Sequence, residues 1–191
     1  MAEVATQRLT LRDTDIGWPL EELWVTDDLL GRADSMEAGS VVLVLDLPAG
    51  ELVWLAWHPV AEWVGEQLRL GKRPMHWSYR PLAWPVWNHQ HRRVVRFWSV
   101  DNGTDEAVIE GLRLRRLDRL PVVQPSATEL TDQLRHELGL SRRHLQAVLD
   151  EYWDRDWRRE HSRFGESPED HLWRAARAVT EVHDALTDLE A

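Results

Sequence analysis

The chain contains no cysteine and only one lysine among its 191 residues. Without cysteine, the protein cannot form disulfides, thiolate-bound zinc sites, iron–sulfur clusters or a cysteine nucleophile. No apolar run approaches the roughly 18 residues that a membrane-spanning helix needs. The N-terminus also lacks the basic start and apolar core of a secretory signal. We therefore expect a cytoplasmic protein that has no membrane partner.

Two catalytic signatures are absent as well. The sequence has no glycine-rich loop that could cradle a phosphate, and no serine lies in a Gly-x-Ser-x-Gly setting. These absences argue against classical nucleotide hydrolysis and serine hydrolysis.

The net charge of −10 is spread unevenly along the chain. Residues 1–50 carry 3 basic and 10 acidic groups, whereas residues 69–119 carry 11 basic and 5 acidic groups. An acidic chain with one basic region is a poor general binder of nucleic acid, because contacts to phosphate supply most of that affinity. A local site for an acidic partner remains compatible with this charge pattern.

Tryptophan is abundant, with twelve residues in the chain. We call residues 74–98 the tryptophan-rich segment, since it combines four tryptophans with three prolines. Proline forbids a regular helix and disfavours a central strand. The segment is therefore predicted to be an ordered loop in which only the tail, Arg93 to Val100, forms a strand. Long ordered loops in compact domains are usually functional or packed by their own side chains.

The N-terminal half predicts a small sheet with one packed helix. Val4 to Leu11 is predicted as an edge strand, and a short helix is predicted from Pro19 to Gly31. The apolar run Val41–Leu47 and the segment Glu51–Trp57 flank a Pro-Ala-Gly turn and predict a hairpin. A helix is predicted from Pro59 to about Leu70, with one apolar face on the sheet.

A second hairpin is predicted around Asn102-Gly103, the strongest short signal for such a turn. Its strands would be Arg93–Val100 and Glu106–Leu117. After a short proline-flanked linker at 121–125, three helices are predicted. They cover Glu129–Leu138, residues 141–162 with Trp153 and Trp157 in the apolar stripe, and a last helix that begins at Ser167-Pro168.

Together these elements predict an α+β fold. It consists of a small antiparallel sheet with one packed helix and a long tryptophan-rich loop, followed by a C-terminal subdomain of about three helices. The predicted division is a β-rich α+β domain at 1–120 and a helical subdomain at 126–191, either as two parts or as one compact unit.

The tryptophan-rich segment interleaves aromatic rings with arginines, and both residue types dominate binding hot spots. The leading hypothesis is a non-enzymatic binding or adaptor protein that needs no cofactor and binds a protein or a small molecule. Its predicted contact residues are Trp77, Tyr79, Arg80, Trp84, Trp87, Arg92 and Arg96. The alternative is structural: the rings fill the core and the arginine stems lie over them.

Histidines suggest a second hypothesis, a small metal-dependent or histidine-based hydrolase. His89 and His91 alternate within the tryptophan-rich segment, where two imidazoles could hold a metal or transfer protons. His161 and His171 are expected to approach each other in the C-terminal helices, near several carboxylates. Two histidines with a carboxylate suit zinc or iron, but neither spacing matches a known metal signature.

A third hypothesis concerns residues 130–152. Gly139 at a predicted turn, apolar residues on either side of it and Arg142-Arg143 at the start of the following helix resemble a helix-turn-helix DNA-binding unit. The resemblance implies a DNA-binding regulator whose second helix enters the major groove. The structural alternative is an ordinary corner between two helices.

Overall fold

The computed structural model describes residues 1–12, 14, 17–31, 38–163 and 165–190. It divides into two compact units: unit 1 comprises Met1–Ala49 and His58–Pro125, and unit 2 comprises Gly50–Trp57 and Ser126–Ala191. The predicted α+β class, with a C-terminal helical region, is confirmed. Within the described ranges, none of the helices has the length and apolar character that crossing a membrane requires.

Unit 1 contains a five-stranded sheet with short helices around it. The strands are β1 (Leu20–Thr26), β2 (Gly39–Leu45), β3 (Met75–Pro81), β4 (Val94–Ser99) and β5 (Gly103–Thr104), and their order in the sheet is β3-β2-β1-β4-β5. The helices are α1 (Ala2–Arg8), α2 (Asp27–Leu30), α3 (Pro59–Gln67) and α4 (Glu106–Arg113). Single 3-10 turns lie at Leu9–Leu11, Leu70–Lys72 and Leu117–Arg119.

Strand β2 lies at the centre of the hydrophobic core of unit 1. All seven of its residues are buried, which explains why the sequence shows an unbroken apolar run there. The predicted hairpin with Glu51–Trp57 is wrong, because β2 pairs antiparallel with β1 and parallel with β3. The sheet is therefore mixed rather than purely antiparallel, and the parallel pair is connected through α3, which confirms the predicted helix after Pro59.

The predicted helix from Pro19 to Gly31 is wrong over most of its length, because Leu20–Thr26 forms strand β1. Only its end is confirmed, since α2 covers Asp27–Leu30 with Gly31 at its C-cap. The register between β1 and β2 shifts between Leu20 and Glu22, so Leu20 pairs with Leu45 while Leu23 pairs with Leu43. Since alternate residues of β2 share a face, this irregularity puts Leu20 and Leu23 on the same side of the sheet. Two buried leucines three residues apart imitate the spacing of a helix. The predicted edge strand at Val4–Leu11 is also wrong, since α1 and a 3-10 turn occupy it.

The Asn-Gly turn is present, with Gly103 at φ +66° and antiparallel pairing of β4 with β5. The predicted second strand at Glu106–Leu117 is wrong, however: β5 consists only of Gly103 and Thr104, and helix α4 covers Glu106–Arg113. The reason is the N-cap of that helix: the Asp105 carboxylate accepts a hydrogen bond from the Val108 backbone N–H at 3.0 Å.

The tryptophan-rich segment, predicted as a loop with a strand only at its tail, contains a second strand. Its first part forms strand β3, which lies at the edge of the sheet and ends at Pro81. An edge strand tolerates proline because the missing N–H would face outwards. Residues 82–93 form the loop, and β4 confirms the predicted strand at the tail of the segment.

Unit 2 contains three helices, as predicted, but their bounds differ. They are α5 (Ala127–Glu151), α6 (Arg155–Glu160) and α7 (Pro168–Glu190). α5 and α7 run antiparallel, since Arg135 contacts Glu190 at 2.8 Å while Tyr152 contacts Glu169 at 3.1 Å. The predicted start of the last helix is confirmed: the Asp170 backbone N–H donates to the Ser167 hydroxyl at 3.1 Å.

The helix-turn-helix prediction is wrong. α5 continues without interruption through Gly139, which is not among the described glycines that have a positive φ. Ser141, where the second of the three helices was predicted to begin, is buried inside α5. The buried residues keep one helical spacing on both sides of Gly139: Leu130, Leu134, Glu137, Leu138, Ser141 and Val148. This continuous stripe stabilises a single helix, because a turn would move half of it away from the core.

The segment at 50–57, predicted as a strand, contributes instead to the core of unit 2. Leu52 and Val53 are 1% and 2% exposed. The Trp54 indole donates a hydrogen bond to the Glu181 carboxylate on α7 at 2.7 Å. The Trp57 ring meets the His171 ring edge-on at 5.8 Å between centroids. These contacts fix the segment against α7.

Candidate functional site

Arg80 organises the loop that follows β3. Its side chain is 1% exposed. The guanidinium donates to the Pro85 carbonyl from Nε at 3.1 Å and from Nη2 at 3.0 Å, and to the Trp87 carbonyl at 3.4 Å. The same group lies 5.1 Å from the centre of the Trp84 ring. Arg80 and Trp84, both predicted as contact residues, are therefore interior groups that hold the loop in place.

Trp77 and Tyr79 point to the opposite face of the sheet from Arg80, since alternate residues of a strand face opposite ways. Trp77 packs against α3 so closely that a Cβ added to Gly65 would lie 2.7 Å from the ring. The Tyr79 hydroxyl accepts a hydrogen bond from the His58 backbone N–H at 3.1 Å. Both predicted contact residues thus connect β3 to the α3 region, although neither is fully buried.

The remainder of the loop is fixed by two side chains that accept hydrogen bonds from its backbone. The buried Asn88 side-chain oxygen accepts from the backbone N–H groups of Gln90 and His91, both at 2.8 Å. The Asp27 carboxylate accepts from the Arg92 backbone N–H at 2.8 Å and from that of Arg93 at 3.2 Å. The loop is consequently a rigid part of unit 1.

His91 lies inside this loop, with its Nε2 atom 3.4 Å from the Ser78 hydroxyl oxygen. Burial lowers the pKa of His91, and the neighbouring Asp27 carboxylate acts in the opposite direction. The ring is therefore neutral at pH 7. His89, its predicted partner in a metal or catalytic site, is partly buried in the same loop.

Two tryptophans, Trp24 and Trp87, lie on the face of the sheet that the loop covers in part. Both are partly exposed and pack on one buried cluster, which comprises Val42, Val44, Val86 and Val94. Trp24 pairs across the sheet with Arg96, whose guanidinium lies 5.9 Å from the centre of the Trp24 ring. We call the surface formed by Trp24, Trp87, Glu22 and Arg96, together with the exposed loop residue Arg92, the Trp24–Trp87 face.

Glu22 connects the polar groups of the Trp24–Trp87 face. Its carboxylate accepts a hydrogen bond from the Trp24 indole at 2.8 Å and pairs with the Arg96 guanidinium at 2.6 Å. The Arg96 side chain is nevertheless 44% exposed. The indole and the guanidinium are thus held in fixed positions while they remain accessible from solvent.

A cleft of about 480 Å³ lies beside Arg96, at the end of β4. Polar groups contribute most of its lining, which comprises Arg96, Trp98, Ser99, Asn102, Gly103, Thr104, Asp105 and Glu106. Small-molecule sites are mostly apolar concavities with a few polar groups. This cleft has the volume of such a site but not its chemistry.

His161 and His171 of unit 2 approach each other as predicted, with ring centroids 4.7 Å apart. His161 stacks on Trp157 at 4.0 Å, and its Nδ1 atom lies 2.9 Å from the Trp157 carbonyl oxygen. Among the residues that the structure describes, no group of three or more histidines, aspartates or glutamates is arranged to hold a metal ion. The arrangement therefore favours a packed aromatic cluster.

This cluster predicts a loss of stability in acid. His171 is 9% exposed, and its Nε2 atom is buried without a hydrogen-bond partner among the described residues. Burial first, then the charge of His161, lowers the pKa of His171; Arg174 and His144 act in the same direction and Glu166 in the opposite one. An unfolded histidine has a pKa of about 6.5. Between that pH and the lowered folded pKa the unfolded state binds more protons, so stability falls as the pH falls.

We expect urea unfolding of unit 2 to show this loss between pH 7 and pH 5. His171→Leu should make the dependence of the unfolding free energy on pH weaker. The matched control is His183→Leu, because His183 is an exposed residue on the same helix. The prediction fails if the wild-type profile is flat, or if His171→Leu retains the full pH dependence.

Sequence reasoning identified part of the Trp24–Trp87 face. Trp87, Arg92 and Arg96 were among the predicted contact residues. Trp87 is partly exposed, and Arg92 and Arg96 are exposed. Trp24 was missed because its segment was predicted to be a helix. The available signal was the run Leu23-Trp24-Val25-Thr26, which is rich in residues that favour strands.

Comparisons with known proteins identify the family of the chain. The family model described as Domain of unknown function (DUF7711) matches residues 1–188, which include both units. No curated protein and no solved structure gives a significant match. Since the family model covers nearly the whole chain, the protein belongs to the family of the domain of unknown function DUF7711.

Proposed function

We propose that the protein is a non-enzymatic, cytoplasmic binding or adaptor protein that recognises a partner protein through the Trp24–Trp87 face. The observation that carries this proposal is the pair of partly exposed indoles on one face of the sheet, with Arg96 beside them. Trp and Arg supply a disproportionate share of binding energy. Trp buries a large area at a low cost in conformational freedom, and Arg offers a planar set of hydrogen-bond donors.

The chemistry of the face specifies the kind of partner. Arg92 and Arg96 are exposed, and the region from residue 69 to 119 has a basic excess of 11 groups over 5 acidic ones. A partner segment that combines carboxylates with apolar side chains would complement both the arginines and the rings. A partner carboxylate could replace Glu22 at Arg96, because an exposed ion pair contributes at most about 1 kcal/mol.

The hydrolase hypothesis has less support. The Ser78–His91 distance of 3.4 Å is long for a working nucleophile and base. The DNA-binding hypothesis depended on a turn at Gly139, where α5 is continuous. For a small-molecule partner, the polar cleft beside Arg96 lacks the apolar lining of typical ligand sites.

The test is recovery of a partner with the tagged full chain from its source cells, quantified by mass spectrometry. Arg92→Glu/Arg96→Glu should lower recovery about tenfold or more, which corresponds to about 1.4 kcal/mol of binding free energy. Trp24→Ala should have a similar effect.

The control is Arg142→Glu/Arg143→Glu, which makes the same change of charge at two exposed positions on α5. Its recovery should equal that of the wild type, and thermal unfolding should show that all variants fold. Equal recovery with wild type and with Arg92→Glu/Arg96→Glu would contradict the proposal. If the wild type binds duplex DNA and only the control variant loses that binding, the result would instead support the DNA-binding hypothesis.

A further inference from the structure

Trp153 is 83% exposed, the highest value among the large apolar side chains described as exposed. Its predicted place in the buried stripe of a long helix is wrong, because α5 ends at Glu151 and the chain turns before α6. Compact proteins rarely leave an indole in water, since burying one removes about 150–250 Å² of surface from solvent. The exposure of Trp153 therefore indicates a contact surface.

The corner that carries Trp153 is rigid. The Asp154 carboxylate accepts hydrogen bonds from the backbone N–H groups of Asp156 at 2.9 Å and Trp157 at 2.8 Å, which caps α6. The Trp153 ring meets the Tyr152 ring edge-on at 5.0 Å. Tyr152 in turn donates a hydrogen bond to Glu169 on α7 at 3.1 Å. An indole held in this way loses little freedom when a partner binds.

The surroundings of Trp153 are acidic. Four exposed carboxylates lie within three residues of it in the sequence: Asp150, Glu151, Asp154 and Asp156. Two arginines are also near it: Arg155 in the sequence, and Arg158, whose guanidinium lies 6.0 Å from the Trp153 ring centre and pairs with Glu169 at 2.7 Å. Residues 126–191 as a whole carry 15 acidic and 9 basic groups. Phosphates of a nucleic acid or of an anionic lipid surface would be repelled here. A cationic partner would be attracted.

We propose that this acidic tryptophan corner docks an arginine-containing, basic segment of a partner protein. A guanidinium can stack on the face of an indole and at the same time bind a carboxylate with two hydrogen bonds. Lysine offers neither the flat stacking surface nor the paired donors. The site belongs to unit 2 and the Trp24–Trp87 face to unit 1, so it would give the protein a second docking surface, of opposite charge.

The probe is a synthetic peptide of five Arg-Gly repeats, with a five-repeat Lys-Gly peptide as the comparison. Fluorescence anisotropy with the full chain should show that the arginine peptide binds more tightly than the lysine peptide. Trp153→Ala should lower the affinity for the arginine peptide about tenfold. In the wild-type protein, the indole N–H signal of Trp153 should move in an NMR titration.

Trp173→Ala is the matched control. Trp173 is also a surface residue at 57% exposure, and the Arg177 guanidinium of the same chain lies 5.0 Å from its ring centre, closer than the 6.0 Å between Arg158 and the Trp153 ring centre. This variant should bind the arginine peptide within about twofold of the wild type. Both rings are exposed, so neither change should alter the fold.

Two outcomes would overturn the proposal. Equal affinity of wild type and Trp153→Ala would show that the peptide is attracted by charge alone. A dimer in light scattering without peptide, lost in Trp153→Ala, would show that a second copy of the chain covers the corner.

Discussion

Replacing Arg80 by methionine should lower the free energy of unfolding of unit 1 by about 2–4 kcal/mol, because it leaves partly buried carbonyl oxygens without donors. The Arg80 guanidinium donates to the carbonyls of Pro85 and Trp87, and it also lies against the Trp84 ring. Methionine fills the space of the aliphatic stem but not that of the guanidinium. The cost therefore combines the lost hydrogen bonds with a small void beside Trp84.

The measurement is thermal unfolding of the full chain, where about 2–4 °C of melting temperature corresponds to each kcal/mol in a protein of this size. Arg92→Met is the matched control, since Arg92 lies in the loop that Arg80 holds but is itself exposed. An exposed substitution should change stability by about 0.5 kcal/mol or less. Equal effects of the two substitutions would contradict the structural role of Arg80.

The outcome also decides how the tryptophan-rich segment should be interpreted. If Arg80 holds the loop together, loss of partner binding in Arg80→Met would reflect a disordered loop. It would not identify Arg80 as a contact. For that reason the binding tests use Arg92, Arg96 and Trp24, whose side chains are at least partly accessible.

Local signals in the sequence were sufficient for some elements. The Ser167-Pro168 start of α7, the proline at the start of α3 and the apolar run of β2 each depend on a few neighbouring residues. The elements that were mispredicted depend on contacts distant in sequence. The irregular register at Leu20 arises from pairing with β2, and the continuity of α5 at Gly139 arises from packing along its whole buried stripe.

The candidate site shows the same contrast between local signals and contacts distant in sequence. Composition identified the segment that carries Trp87, Arg92 and Arg96, because its density of aromatic and basic residues is visible in the sequence. Composition could not separate contact residues from core residues. Arg80 and Ser78 share one face of β3 and Trp77 the other, and this assignment requires the pairing of β3 with β2.

The second large loss of stability that we expect comes from the contact between Trp77 and Gly65. Gly65→Ala in α3 should lower stability by about 1–3 kcal/mol. Alanine alone would favour the helix by about 0.5–1 kcal/mol over glycine. The new Cβ, however, would lie 2.7–3.1 Å from three atoms of the Trp77 ring, closer than packed atoms approach. Because the ring is wedged between the sheet and the helix, it cannot move aside freely, and the steric cost exceeds the gain in helix propensity.

Gly71→Ala is the control, because nothing lies within 4 Å of the position that its Cβ would occupy. It should leave the melting temperature nearly unchanged. A double-mutant cycle then isolates the contact: Gly65→Ala should cost much less in the background of Trp77→Leu, whose shorter side chain leaves room for the methyl group. A coupling energy near zero would mean that Trp77 does not pack on α3 and is free to serve as a contact residue. A coupling of about 1 kcal/mol or more would assign Trp77 to the core, and would restrict partner recognition in unit 1 to the opposite face of the sheet.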